Sequence, residues 1–83
     1  MKIFVKFDSP SSGWDWDVEY SAKRLVEGNV YELETANVGR INSTIYLKGF
    51  DGEFNSVQFS FYDEEGHEVD IYKMKEFYTY IYQ

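Results

Sequence analysis

Side chains able to do acid–base or covalent chemistry are few here: one histidine, His67, and no cysteine among 83 residues. A nucleophile–base arrangement would need His67 beside Ser56, Ser60 or Thr44, with a third group fixing the imidazole. His67 falls in DEEGHE, an acidic run with a glycine, where a histidine reads as solvated turn surface. Asp63, Glu64, Glu65, His67 and Glu68 also offer oxygens and one nitrogen to a divalent ion. Their spacing matches neither the Asp-x-Asp-x-Asp-Gly order of a calcium loop nor the paired histidines of zinc enzymes. The expectation is no catalytic residue, no metal and no cofactor, in a protein that is not an enzyme.

Recognition chemistry is better represented. GWDWDVEY (13–20) alternates aromatic and acidic residues, and in a strand successive side chains point to opposite faces. Read as a strand, Trp14, Trp16, Val18 and Tyr20 build core, while Asp15, Asp17 and Glu19 form a carboxylate row. Glu32 and Glu34 would extend that row if their strand lies alongside. Acids on alternate strand positions sit about 6.6 Å apart, not far from the separation of neighbouring phosphates. Such a grid suits a basic groove built for nucleic acid, through charge-assisted pairs. The plainer alternative is the solvated outside of an amphipathic strand, since a net charge of −7 is ordinary for a small domain. Tyr78, Tyr80 and Tyr82 share one parity of the last segment. If exposed, they form an aromatic stripe for a protein partner or a homodimer; otherwise they pack locally.

The charge balance, fifteen acids against eight bases, argues against holding DNA or RNA by the phosphates or settling on an anionic membrane. The bases come in scattered pairs: Lys2 and Lys6, Lys23 and Arg24, Lys73 and Lys75. Direct nucleic-acid binding is therefore not expected. No run approaches the ~20 apolar residues of a membrane helix, and the N-terminal stretch lacks a signal-peptide core. A cytoplasmic protein, monomer or homodimer, is expected.

These residues must be positioned by a small core. A chain of this length without a linker makes one domain (1–83) and buries only roughly 60% of its unfolded surface. Aromatics, 20% of the chain, must supply that core. Period-two alternation dominates: KIFVKF (2–7), VYELETA (30–36), STIYLKGF (43–50), NSVQFSFY (55–62), EVDIYK (68–73) and KEFYTYIY (75–82). In 55–62 the alternation puts Val57, Phe59 and Phe61 inside and Gln58, Ser60 and Tyr62 outside. DSPSSG (8–13), NVGRINS (37–43), Asp51-Gly52 and DEEGH (63–67) read as turns. SAKRLVEG (21–28) is the one helix candidate, or equally an irregular diverging turn before the next strand. The fold class is mainly all-β: a small antiparallel SH3-like barrel or twisted sheet with at most one short helix.

Residues 25–72 carry LxxGxxY (Leu25, Gly28, Tyr31), the strand end YLKGF, and FNSVQF (Phe54 to Phe59). With these the chain resembles small SH3-like barrel proteins of phages and prophages of Gram-positive bacteria. The resemblance implies a setting of phage against host. In that setting the acidic rows point to an accessory protein in the host cytoplasm. It would bind and inhibit a host nucleic-acid-handling defence protein with a basic groove, in the manner of an anti-CRISPR. A phage assembly module joined through its tyrosine strand is the alternative, and a small nucleic-acid-binding barrel the third.

Overall fold

The computed structural model describes residues 2–78. Its framework is a five-stranded antiparallel sheet, β1 (Phe4–Phe7), β2 (Val30–Val38), β3 (Ser43–Leu47), β4 (Phe54–Asn55) and β5 (Phe59–Tyr62), in the order β4-β3-β2-β1-β5. One short helix, α1 (Asp15–Ala22), lies in the β1–β2 connection and packs against β4.

Alternation places Val5 and Phe7 of β1 inward, with Val5 opposite Phe61 and Phe7 opposite Phe59 on β5. β3 does the same with Ile45 and Leu47. β2 does not keep one parity. Leu33 faces Leu47, but the register then shifts at a bulge before Thr35, so Ala36 and Val38 are buried and Thr35 is exposed. An extra residue in one strand exchanges its faces.

The two sheet edges, β4 and β5, are joined only by a 3-10 turn, Ser56–Gln58. A flat five-stranded sheet would hold its edges roughly 19 Å apart, whereas three 3-10 residues rise only about 6 Å. The sheet must therefore curl until its edges approach, and the rings of Phe54 and Phe59 lie 6.3 Å apart. The turn also reverses the expected faces of Val57 and Gln58, while Phe59 and Phe61 stay buried as the alternation places them. Asn55 accepts a bond from the Val57 amide and directs Val57 outward, half exposed, while Gln58 is fully buried. The amide of Gln58 donates to the Pro10 carbonyl and to Ser21 Oγ, both at 3.0 Å, tying the 8–13 loop and α1 to the core.

The largest departure from expectation is at 13–20, which is helical rather than extended. Gly13 (φ 95°) turns the chain, and Asp17 Oδ2 accepts the Trp14 amide at 2.9 Å. An acid at this third helical position satisfies an amide the helix leaves open and sits favourably at the positive end of the dipole. Asp17, Val18 and Ser21 then face the protein, with Leu25 buried just beyond, a 3.6-residue spacing hidden beneath the alternation. Of 21–28, read as a short helix or an irregular diverging turn, only Ser21 and Ala22 belong to α1, and the rest is turn and irregular chain leading to β2. Residues 68–78 are also less extended than the alternation implied: Ile71–Lys73 and Lys75–Phe77 are 3-10 turns, though Ile71 is fully buried and Val69 half-buried.

Candidate protein-binding surface

The helix puts two tryptophans outside the core. Trp14 is 54% and Trp16 66% exposed, against the expectation that both build the interior. Residues two apart on a helix diverge, but Trp14 is the N-cap, with extended backbone (φ −78°, ψ 161°). That geometry turns its ring back onto Trp16, and the indoles stack at 5.4 Å with 11° between planes. The pair shields part of its own surface but presents the remainder to solvent.

Trp14 opens onto a groove of about 630 Å³ whose apolar lining includes Ile41, Val57 and Tyr72. Ile41, at the tip of the β2–β3 turn, is 93% exposed and has no role in the core. Ser43, Asn55 and Ser56 add hydrogen-bonding groups to the lining. The walls are fixed by internal bonds. Asn55 Nδ2 donates to Asp17 Oδ2 at 2.9 Å, joining β4 to α1, and Tyr72 Oη donates to Ser56 Oγ at 2.8 Å. A Cβ on Gly13 would come within 3.0 Å of Asp17 Oδ2, so the close approach there requires glycine. Fixed walls lower the ordering cost of association.

The five acids expected to form one row are distributed differently. Asp15 and Glu19 lie exposed on α1, and Glu19 pairs with Lys23 at 3.1 Å. Asp17 turns inward, where its carboxylate accepts from the N-cap amide of Trp14 and from Asn55. On β2, Glu32 pairs with Lys48 Nζ at 2.8 Å, and Glu34 is exposed. The hydrogen bond from Lys48 holds the Glu32 carboxyl below its usual range and raises the lysine. The row on a single extended 13–20 strand is thus absent, because that segment is a helix and its acids diverge.

Of the tyrosine stripe, Tyr78 is half-buried against the core, donates from Oη to the Tyr72 carbonyl at 3.0 Å and bridges Val38 through its backbone. Tyr80 and Tyr82 lie outside the described residues. His67 stands beside Asp63, with Nδ1 3.4 Å from Oδ2. Asp63 Oδ1 accepts the amides of Glu65 and His67, and these backbone bonds, His67 first, lower its pKa. Ser60 donates to Asp8 and Ser56 accepts from Tyr72. Among the described residues, no three His, Cys, Asp or Glu side chains are grouped to hold a metal, and no helix is long and apolar enough to cross a membrane.

Sequence reasoning missed the groove because Trp14 and Trp16 fit a strand alternation that assigned them to the interior. The available signal was the competing spacing of Asp17, Val18, Ser21 and Leu25, which follows a helical period and leaves Trp16 off the inward face.

A family model described as bacteriophage T4 protein Y07B matches residues 2–83, and the chain belongs to that family of phage proteins. No curated protein and no solved structure matches it.

Proposed function

Starting from membership of a phage protein family, we propose that the chain is a non-enzymatic accessory protein that acts by binding a protein of the host cell. The observation that carries this reading is the exposed Trp14–Trp16 stack beside a groove lined by Trp14, Ile41, Val57 and Tyr72. Tryptophan and tyrosine dominate binding energy where they can be desolvated against a partner, and a clustered apolar surface of this kind is characteristic of interaction sites. The net charge of −7 favours a basic partner. A host nucleic-acid-handling defence protein, inhibited by occupation of its basic groove, is the target class that this charge and the phage setting jointly support. Recognition then centres on the tryptophan corner, with the acids Asp15, Glu19 and Glu34 steering encounter from outside it.

The test is affinity capture from host extract with wild type and a Trp14→Ala/Ile41→Ala variant, followed by titration of the purified partner. Loss of the groove should weaken binding by about 30-fold or more, and saturating wild type should block the partner's nucleic-acid binding. Equal affinity of both forms would remove the groove from recognition, and an unimpeded partner would remove the inhibitory role.

A further inference from the structure

Trp16, behind the stack, closes a second concavity of about 300 Å³ between α1 and β4. Trp16, Tyr20 and Phe54 supply its aromatic lining, and Asp17 and Glu53 its carboxylates; no lysine, arginine or histidine lines it. Both carboxylates are held through one oxygen. Asp17 Oδ2 accepts from the Trp14 amide and Asn55 Nδ2, and Glu53 Oε2 accepts from Tyr46 Oη at 2.9 Å. Among the described residues their other oxygens carry no hydrogen bond.

The shape of the slot is built in. Gly52 has φ 80°, and a Cβ there would fall 2.0 Å from the Tyr20 hydroxyl, which donates to the Asp51 carbonyl at 2.9 Å. Glycine therefore lets the β3–β4 turn close over the tyrosine and form one wall. An aromatic face attracts a cation through its quadrupole, and fixed carboxylates beside it add charge and acceptors. The same chemistry occurs internally at Tyr20, where the Arg24 guanidinium lies 3.6 Å from the ring centroid.

Resting on the reading that the tryptophan corner is the docking surface, we propose that this slot receives an arginine side chain of the protein partner. Arginine is favoured over lysine because its planar guanidinium stacks on an indole while its fork bonds a carboxylate. The partner segment would then place an arginine next to the apolar residues that fill the groove.

The probe is N-acetyl-arginine amide, titrated while the Trp16 indole N–H resonance is followed, with N-acetyl-citrulline amide as the uncharged isostere. The arginine compound should shift Trp16 saturably, and citrulline should bind about fivefold or more weakly. Glu53→Gln and Trp16→Ala, both at exposed positions and the latter followed through the backbone amide resonance of Gly52 in the slot wall, should weaken the arginine compound by a similar factor, with melting temperature recorded to confirm the fold. Equal responses to arginine and citrulline, or no saturable shift, would overturn the slot. The outcome separates from that of the groove. A partner lost by Trp14→Ala/Ile41→Ala but bound fully by Glu53→Gln keeps the groove and rejects the slot. Selective arginine binding alongside undiminished capture by Trp14→Ala/Ile41→Ala keeps the slot and rejects the groove.

Discussion

Two sets of aromatic rings in this protein do opposite work. Phe7, Phe54 and Phe59 pack where the sheet curls on itself, Phe7 to Phe59 at 5.5 Å and Phe59 to Phe54 at 6.3 Å, and all three are buried. Trp14 and Trp16 stack only a few residues from Tyr20, which touches Phe54, yet both stay more than half exposed. In a domain this small every large ring is valuable to the core. The proposed binding role accounts for leaving the two largest outside. On that proposal the phenylalanines carry stability and the tryptophan corner carries recognition.

The sharpest way to break that division is to exchange the penalties. Phe54→Ala should cost about 3–5 kcal/mol in chemical denaturation, because it empties the centre of the ring cluster; a small loss would mean that the edges are not held by these rings. Gly52→Ala comes next, at about 1–3 kcal/mol. Its φ of 80° and the 2.0 Å approach to Tyr20 both resist a side chain, and removal of the tyrosine hydroxyl with Tyr20→Phe should recover little, since the ring atom Cζ remains 3.0 Å away. Trp14→Ala/Ile41→Ala should change stability by less than about 1 kcal/mol. A larger loss would place Trp14 among the structural rings and dissolve the comparison.

The smallest effect concerns charge on the sheet. Glu32 has a folded pKa below its ordinary 4.5, chiefly through the hydrogen bond from Lys48. Its contribution is present above that ordinary value and is lost as pH falls through the lowered one. Wild type should therefore lose its small advantage over Glu32→Gln on acidification, read as converging melting temperatures. A difference that persists once the carboxyl is protonated would show that packing, not the ion pair, separates them.

Much of the sheet was legible because one-sided burial imposes alternation on β1, β3 and β5, and because Asp51-Gly52 and DEEGH punctuate it. The illegible places share a cause: one residue of slip exchanges faces. The bulge at Leu33–Thr35 exposes Thr35, and the 3-10 turn exposes Val57 and buries Gln58. Gln58 is polar, so its interior position depends on Pro10 and Ser21, partners no local pattern shows. At 13–20 two periods coincided, and capping by Asp17 together with the Gly13 turn decided for the helix. That single choice dispersed the acids Asp15, Asp17 and Glu19 and created the tryptophan corner. The site was therefore hidden by the same local competition that set the fold.

The central claim is that the exposed tryptophan corner exists to bind a protein. The most direct measurement is the affinity of the captured, purified partner for wild type and for Trp14→Ala/Ile41→Ala, each confirmed folded by its melting curve. A drop of about 30-fold or more at nearly unchanged stability is predicted; equal affinity with the fold intact would contradict it.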